Sequence, residues 1–484
     1  MRYLLTIALG PVQDFIAAAR RTSDLTAGSQ FLVEVAKAAA RAIKAEGGML
    51  IFPASAESDG PNKILAALPE GAAPKMAAEA ARAAAVGKLR EEWRAAKSRL
   101  QERYGLNAAL ADAQIERFLE FYAAWIPFTE ETYATARAQV DALLAGRKNL
   151  RDFGPPPEGI APVRGKSPLD PAFECVVTMP NRGGDEPDTG FLRLRQTEFL
   201  DAVSLLKRVK GGRESGKVPS TRAFARRQTE PGFFQDDSQD DDAQEAYPYF
   251  AILHADGDQM GKLLNGMKTP DAHREFSQTL AKFATDAKEI VARHDGYAVY
   301  TGGDDVLAFL PVRTAVECAR ELAKTFQEAV GATLSAGVAV CHYRQPLSLS
   351  REAVQRAEKR AKNEGNRNAL CLALHTRGGQ PLFVTRKWAD WARFETWTGA
   401  FRNGSLTRGV AYELRELAKE FQEVENVPSD LLELEAKRIW SRKQSESKEK
   451  RPDFPAGMAS NVEALKAFAD MLVAARFLTE KETR

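Results

Sequence analysis

Three aspartates, in two separate segments of the chain, have the spacing expected of a metal site. The segment YTGGDDVLAFL (300–310) inserts two glycines and the aspartates Asp304 and Asp305 into an apolar run that is typical of buried strands. A hairpin needs only one polar turn pair, so the second carboxylate requires another explanation. Asp256 ends an earlier apolar run, YFAILHAD (249–256). In an antiparallel sheet, a hairpin that follows a crossover helix can return beside the first strand and bring these carboxylates together.

The chemistry of such a carboxylate cluster is that of a divalent cation site. Oxygen ligands suit Mg²⁺ or Mn²⁺, which also recruit phosphate oxygens. Two ions about 3.5–4 Å apart can activate an attacking hydroxyl and stabilise a leaving pyrophosphate. We therefore predict Asp256, Asp304 and Asp305 as catalytic residues and as ligands of two Mg²⁺ or Mn²⁺ ions. Such a reaction needs no histidine or serine nucleophile.

Glycines beside the aspartates indicate that a phosphate group can approach the backbone closely. Gly302 and Gly303 permit a positive φ and remove the Cβ atom that would hinder a triphosphate. Gly257 and Gly261 have the same use after the first strand, and Asp258 lies in the same turn. We predict that a nucleoside triphosphate binds at this position.

Four cations are candidate ligands of that triphosphate: Lys262, Lys359, Lys362 and Arg367. Taken alone, GGDD is ordinary turn sequence, and the two lysines at 359 and 362 suit a solvated helix face. The ordered series HADGD, GGDD, SAG and AKNEGNRNAL favours a nucleotide site over these simpler interpretations.

The rest of the sequence alternates apolar strands with amphipathic helices, which indicates α/β or α+β units. The first unit reads as strand (3–9), helix (12–45), strand (49–54), helical stretch (73–112), strand (118–128) and a helix with Thr129 as its N-cap. The second unit begins near residue 249 and contains both carboxylate segments. After about residue 385 the apolar spacing is helical throughout.

The overall charge excludes a polycation. Lysines and arginines exceed acidic residues by two, so any contact with nucleic acid must be a local basic patch. The stretches Lys207–Arg213 and Lys437–Lys443 are candidates for contacts with RNA or with a partner, although solvated helix faces explain them equally well. An acidic tract at 235–248 is most simply a linker or loop.

Cysteine use and hydropathy indicate a cytoplasmic protein. The four cysteines are far apart and include no CxxC pair, so we expect buried thiols rather than disulfides or a zinc site. The apolar start is interpreted as strand, turn and helix rather than as a signal peptide. No stretch approaches the ~18 apolar residues of a membrane span, and we expect no membrane partner.

The ordered motifs resemble the palm domain shared by GGDEF cyclases, adenylyl cyclases and the large subunit of type III CRISPR effector complexes. The Cmr-type (type III-B) large subunit is the most similar of these. The two palm motifs are YFAILHADGDQMGKLL (249–264) and YTGGDDVLAFLP (300–311). The resemblance is also carried by GPVQDFIAAARRTSDLTAGS (10–29), NKILAALP (62–69), LDAVSLLKR (200–208), VPSTRAFA (218–225) and GSLTRGVAYELREL (404–417).

The resemblance implies an α+β fold with two ferredoxin-like palm domains, helical insertions and a helical C-terminal domain. The predicted domains are a degenerate palm-like domain with a helical insertion (1–150), a connecting, partly helical domain with the acidic linker (151–245), the catalytic palm (246–384) and the helical C-terminal domain (385–484). The first palm ends its opening strand in Gly10 where the second has Asp256, and it has no GGDD. We therefore expect one catalytic palm, with the first as a partner that shares the nucleotide cleft.

The same resemblance implies a cyclic oligoadenylate synthetase with ATP as substrate. The 3′-hydroxyl of one ATP attacks the α-phosphate of another, pyrophosphate leaves, and ring closure yields a messenger when the complex holds target RNA. Guide RNA, target RNA and other effector-complex subunits are the implied partners. The complete nucleotide-binding prediction, which includes the SAG serine as a base contact, is Gly257, Asp258, Gly261, Lys262, Gly302, Gly303, Ser335, Lys359, Lys362 and Arg367. GGDEF-like palms have the pattern AK..GRN. This sequence has AKNEGNRN (361–368), in which one extra residue stands between the glycine and Arg367.

Two features of the family are missing from this sequence. Many members carry an N-terminal HD nuclease domain, but the one His-Asp pair here, His294-Asp295, fits a turn, so we expect no nuclease activity. The family's four-cysteine zinc site is also missing, and we expect no structural zinc. Two other functions stay open: a stand-alone nucleotide cyclase, and a non-catalytic scaffold that binds RNA. GTP as substrate also stays open, because no spacing excludes it.

Overall fold

The computed structural model describes residues 1–59, 62–150, 165–179, 194, 198–214, 217–235, 247–424, 428–442 and 449–479. Most of the acidic tract at 235–248 lies outside these residues, as does part of the basic stretch that ends at Lys443. The fold is therefore reported for the described ranges, in which an antiparallel sheet unit and a mixed sheet unit are followed by a group of helices.

The first unit is a four-stranded sheet in the order β2-β3-β1-β5. Its elements are β1 (Arg2–Gly10), α1 (Gln13–Ala17), α2 (Thr22–Ala45), β2 (Met49–Phe52), β3 (Lys63–Leu68), α3 (Pro74–Arg103), β4 (Gly105–Leu106), α4 (Ala108–Phe118), β5 (Glu120–Phe128) and α5 (Tyr133–Asn149). The sheet is covered on both faces. Leu5 packs in the core that includes α2 and α3, and Leu4 packs in a second core with Tyr133 and Val140 of α5.

Three predictions for this unit were wrong in detail. The helix expected at 12–45 is divided into α1 and α2, because the backbone leaves the helical region at Ala18. The helical stretch at 73–112 is likewise interrupted by β4, after which Asn107 caps α4 by accepting from the Leu110 N–H at 3.1 Å. Thr132, not Thr129, is the N-cap of α5.

A connecting region of two helices packs against both sheet units. It contains β6 (Val177–Met179), α6 (Ala202–Glu214) and α7 (Thr221–Arg226). Helix α6 packs along α2. Phe224 of α7 stacks on Phe309 of the second sheet, with ring centroids 5.8 Å apart. The connecting region is thus part of the core and not a loose linker.

The basic stretch at 207–213 is not the free surface that an RNA contact would need. Lys207 is 2 % exposed, and its ammonium donates to the carbonyls of Phe15 (2.6 Å) and Ala18, at the end of α1. Arg208 is 1 % exposed and binds both Asp24 and Glu198 at 3.0 Å. The interpretation of these two residues as RNA or partner contacts was wrong, since both hold α6 against the first unit.

The second unit is a six-stranded sheet in the order β12-β11-β10-β7-β9-β8. Its elements are β7 (Tyr249–Gly257), α8 (Met260–Gly266), α9 (Pro270–Arg293), β8 (Tyr297–Thr301), β9 (Asp305–Leu310), α10 (Val312–Val330), β10 (Leu334–His342), α11 (Leu347–Asn363), β11 (Ala369–Leu374) and β12 (Leu382–Lys387). Each unit contains the series strand, helix, two strands, helical segment, strand, and the strand that ends this series, β5 or β10, lies beside the first strand, β1 or β7. Both therefore have ferredoxin-like order, and the predicted α+β fold class is confirmed.

The turn interpretation of His294-Asp295 is also confirmed. The pair follows α9, and Asp295 has a left-handed backbone with φ of 61°. His294 lies 2.7 Å from Glu321, and Asp295 accepts from Arg313 at 2.9 Å. Both side chains are therefore engaged in holding this turn.

Within the described residues, five helices follow β12. They are α12 (Trp388–Trp391), α13 (Phe394–Arg402), α14 (Gly409–Gln422), α15 (Ser429–Arg442) and α16 (Val462–Thr479). Aromatic rings form their core, with Trp397 and Trp440 in edge contact at 5.8 Å. The predicted boundary at 384/385 falls inside β12, so the helices begin only at Trp388. Among the described helices, none combines the length and the apolar character that crossing a membrane requires.

Candidate active site

The structure brings the three predicted aspartates to the same end of the second sheet. Asp256, near the end of β7, is the direct register partner of Asp305, the first residue of β9. Asp304 lies in the turn before β9, and its carbonyl accepts a hydrogen bond from Gly257 N at 3.1 Å. Residues directly opposite in antiparallel strands have Cβ atoms about 4.5–5.5 Å apart, so two carboxylates are close together across this pair.

The turn before β9 needs its glycines because a tyrosine packs onto it. A Cβ atom on Gly302 would lie only 1.8 Å from the hydroxyl oxygen of Tyr300. The Gly302 N–H donates to the carbonyl of Asp305 at 2.8 Å, which closes the turn, and Gly303 has φ of 87°. Gly302 thus makes room for an aromatic side chain of the protein itself.

The positive charge at this site comes from α11. Its Lys362 donates to the Asp256 carboxylate and lies 2.7 Å from Glu358. Gly337 of β10 allows this approach, since a Cβ there would lie 2.3 Å from the Glu358 backbone nitrogen. The glycine of the SAG motif therefore sets the distance between α11 and the sheet.

Burial and like charge make the cluster electrostatically unfavourable. Burial, together with the Asp256 and Asp305 charges, raises the pKa of Asp304 to about 7. Burial also raises the pKa of Asp256, although Lys362 opposes the shift. Asp304 makes no ion pair within the described part of the chain. A cation beside Asp304 would offset this charge.

The donor set fits a divalent cation in its chemistry but not as a preformed cage. Carboxylate oxygens are the ligands that Mg²⁺ and Mn²⁺ prefer. In the described ranges, however, no group of three or more His, Cys, Asp or Glu side chains is arranged to hold a metal ion. Lys362 engages Asp256, and His254 lies 2.9 Å from Asp305. A bound ion would have to share these carboxylates with the side chains that now contact them.

Two of the predicted nucleotide contacts support a loop instead. The Asp258 side chain is 5 % exposed, and its carboxylate accepts from the hydroxyls of Thr333 and Ser335 (both 2.7 Å) and from Asn368 N (2.9 Å). Ser335 is fully buried. The prediction that Asp258 contacts the nucleotide directly is therefore corrected, since its oxygens are used within the protein. The Ser335 hydroxyl is likewise directed at Asp258.

The loop held by Asp258 has an unusual backbone and carries one of the predicted cations. Asn366, Arg367 and Asn368 have φ of 48°, 59° and 46°, values that non-glycine residues adopt rarely and at a cost. The Lys387 ammonium donates to the carbonyls of Asn366 (3.0 Å) and Arg367 (2.7 Å). The protein thus fixes the backbone of Arg367 while its side chain stays exposed.

The remaining predicted cations lie on the surface. Lys262 on α8 and Lys359 on α11 are exposed, and their side chains form no hydrogen bond or ion pair in the described ranges. Gly261 has open space where a Cβ would lie. The structure therefore brings Lys362, but neither of these lysines, into contact with the aspartates.

Sequence reasoning missed two residues of this site, His254 and Tyr300. Both lie on the sheet face that carries Asp256, because His254, Leu307 and Tyr300 are neighbours across β7, β9 and β8. The signal was strand alternation: His254 is two residues before Asp256, and Tyr300 is two residues before Gly302.

A cavity of about 710 Å³ lies between the first unit and the edge strand β8. Helix α2 contributes Ser29 and Glu34, and β8 contributes Tyr300 and Thr301. Lys288 of α9 also lines it and forms an ion pair with Asp59 at 2.6 Å. The two units therefore enclose a polar space next to the GGDD turn, with a volume in the range of small-molecule sites.

Family models match both sheet units of this structure. Residues 249–371 match the model described as Cas10/Cmr2, second palm domain, and residues 4–98 match that of the CRISPR-associated protein Cmr2, N-terminal. The Cmr subunit Cmr2 of the CRISPR system of Pyrococcus furiosus is 30% identical over an alignment of 249 residues, which covers 42% of this chain. Both sheet units are therefore similar to domains of Cas10/Cmr2 proteins. The aligned part spans 27% of that relative's length.

Solved structures show the same fold as this chain. A type III-B Cmr-beta structure in the apo state aligns with a TM-score of 0.73 at 13% identity, over 100% of this chain and 82% of that one. A Csm1-Csm4 cassette in complex with cA4 aligns with a TM-score of 0.53 at 16% identity, over 98% of this chain and 70% of that one. At these identities the likeness concerns the fold.

Proposed function

We propose that this chain converts ATP to cyclic oligoadenylate, as the large subunit of an RNA-guided effector complex that responds to target RNA. The observation that carries the proposal is the register pairing of Asp256 with Asp305, with the half-buried Asp304 in the turn between β8 and β9. The fold of Csm1, which has been solved with cA4, ATP and AMPPNP, supports a nucleotide substrate.

The proposed reaction is a nucleotidyl transfer. A 3′-hydroxyl oxygen forms a bond to the α-phosphorus of a second ATP, the bond to the pyrophosphate oxygen breaks, and the hydroxyl proton is lost. Mg²⁺ or Mn²⁺, held by Asp256, Asp304 and Asp305, would supply charge neutralisation and hydroxyl activation when bound. The transfer then needs no covalent enzyme intermediate.

The chain's own residues bind and orient the substrate. Lys362, half-buried beside Asp256, is placed to exchange a carboxylate for a phosphate oxygen, and the loop around Arg367 offers a second cation at a fixed backbone position. Helix α2 of the first palm lines the cavity beside β8. The first unit would therefore complete the nucleotide cleft without contributing an acid.

The experiment that tests this function compares the chain alone with its guide complex plus target RNA. Labelled ATP is supplied with Mn²⁺ or Mg²⁺, products are resolved by mass spectrometry, and Asp304→Ala/Asp305→Ala is the control. Cyclic oligoadenylates that form only with target RNA and vanish in the variant support the proposal. Product without target RNA would instead support a stand-alone cyclase, and a parallel reaction with GTP decides the base.

A second candidate is a scaffold that binds guide and target RNA while its palm is inactive. The engagement of Asp256 by Lys362 and the lack of a preformed metal group among the described residues favour it. Intact RNA binding without any product, under all metal conditions, would support this function over the first.

A further inference from the structure

A partly exposed histidine contacts one of the three aspartates. His254 lies on β7 two residues before Asp256, and its Nε2 lies 2.9 Å from Oδ1 of Asp305. The other ring nitrogen, Nδ1, is buried and has no hydrogen-bond partner in the described ranges. The ring is therefore held in the protein by a single polar contact, and that contact is with Asp305.

The direction of this hydrogen bond follows from the chemistry of the two groups. An ionised carboxylate only accepts, so Nε2 carries the hydrogen and donates. The bond occupies Oδ1, while Oδ2 of Asp305 receives no hydrogen bond in the part of the chain that the structure describes. His254 thus fixes the rotation of the carboxylate and leaves one oxygen for another ligand.

Each carboxylate of the cluster has a different support. Asp256 is held by Lys362 of α11, Asp305 by His254 of the neighbouring strand, and Asp304 by no ion pair in the described residues. Asp256 and Asp305 are like charges directly opposite one another, an arrangement that is destabilising in an antiparallel pair. Without a donor on each, the two carboxylates would turn apart toward water.

We propose that His254 is a positioning residue that orients Asp305 for nucleotidyl transfer through the Nε2–Oδ1 hydrogen bond. This inference rests on the proposed function. The chemical precedent is general: partners that hydrogen-bond a ligating carboxylate fix its orientation, and their loss typically lowers metal affinity or activity about 10–100-fold. His254 does not itself touch the substrate.

The test compares His254→Met with His254→Gln in the full chain. Methionine keeps an apolar side chain of similar length without a donor, whereas the glutamine amide keeps an N–H that can reach Asp305. Mn²⁺ affinity is measured by electron paramagnetic resonance without nucleotide, and kcat and KM for ATP are measured in the guide complex. We expect about 10–100-fold weaker Mn²⁺ binding and a lower kcat in His254→Met, with most of both recovered in His254→Gln.

A structural role alone predicts a different pattern. His254→Met with wild-type Mn²⁺ affinity would overturn the proposal, and so would a folded His254→Gln that is as weak as His254→Met. If His254→Met does not fold, His254→Phe, which keeps an aromatic ring but has no donor, is measured in wild-type and Asp305→Asn backgrounds. An effect on Mn²⁺ affinity that disappears with Asp305→Asn supports action through Asp305, and an equal effect in both backgrounds contradicts it.

The Mn²⁺ measurement also separates this inference from the proposed function. A wild-type chain that binds Mn²⁺ but yields no nucleotide product would contradict the synthetase, and the comparison of the His254 variants would still decide whether this residue positions Asp305. A wild-type chain without Mn²⁺ binding at the cluster would overturn both.

Discussion

The ammonium of Lys362 is hydrogen-bonded to Asp256, whose register partner across the sheet is Asp305. The cation predicted to bind a triphosphate is therefore also the cation that neutralises a predicted metal ligand. Glu358 is on the same helix as Lys362, and its carboxylate lies 2.7 Å from the Lys362 ammonium. The arrangement means that Lys362 and a metal ion compete for one carboxylate.

Replacement of Lys362 by methionine should separate metal affinity from nucleotide affinity. Freed from its partner, Asp256 should bind Mn²⁺ more tightly. The KM for ATP should rise roughly ten- to hundred-fold, since a hydrogen bond to a charged group contributes about 1.5–3 kcal/mol. Electron paramagnetic resonance of Mn²⁺ and steady-state kinetics measure the two effects. Lys324→Met, an exposed lysine on α10, is the matched control. Weaker Mn²⁺ binding in Lys362→Met would contradict competition.

Replacement of Asp304 by asparagine should stabilise the protein while product formation is lost. The Asp304 carboxylate is half-buried beside Asp256 and Asp305, so the neutral amide removes a partly desolvated charge and a like-charge repulsion. We expect a gain of about 0.5–2 kcal/mol in the free energy of unfolding, measured with a chelator present. Asp453→Asn, on the exposed surface, should change neither quantity. A less stable Asp304→Asn variant would show that the carboxylate has a structural partner.

Replacement of Asp258 by asparagine should loosen the loop at 366–368. The carboxylate accepts from Thr333, Ser335 and Asn368, and an amide oxygen accepts such bonds less strongly. Hydrogen–deuterium exchange should become faster in this loop, and the KM for ATP should rise more than kcat falls. Ser335→Ala, which removes one of the three donors, should give a smaller change of the same kind. Unchanged exchange in Asp258→Asn would show that Lys387 alone holds the loop.

A histidine at the contact between the two palms should make stability depend on pH. His273 of α9 is 3 % exposed and lies 2.8 Å from the Tyr133 hydroxyl of α5. Burial, then the charges of Arg137 and Lys63, lower the pKa of His273 to about 4, against 6.5 without these effects. The unfolded chain therefore binds a proton more readily than the folded one.

The sign of this dependence follows directly. The stability that neutral His273 provides is complete above pH 6.5 and is lost as the pH falls toward 4, by roughly 3 kcal/mol at most. Denaturant unfolding at pH 7.5 and pH 5 measures the loss. His273→Gln keeps a hydrogen-bonding side chain that does not titrate, so its unfolding free energy should fall less between these two pH values. An equal fall in both proteins would assign the dependence to other groups.

The positions of the main carboxylates could be predicted because they follow from local rules. Strand alternation and a hairpin after a crossover helix are enough to bring Asp256 and Asp305 to one sheet end. The rest depends on tertiary contacts that leave no local mark. Lys207 looks like a surface lysine, yet carbonyls from the end of α1 bind its ammonium. Asp258 looks like a nucleotide ligand, yet its partners come from residues more than 70 positions away.

The stacking of Phe224 on Phe309 has a practical consequence for dissecting this protein. Phe250, on the strand beside Phe309, packs in the same core, which also contains residues of α2 and α6. A fragment cut at 246–384 would expose this aromatic surface to water and tend to aggregate. Failure of such a fragment in an assay would report on its solubility rather than on its chemistry. Point substitutions in the full chain are therefore the informative way to study the GGDD turn.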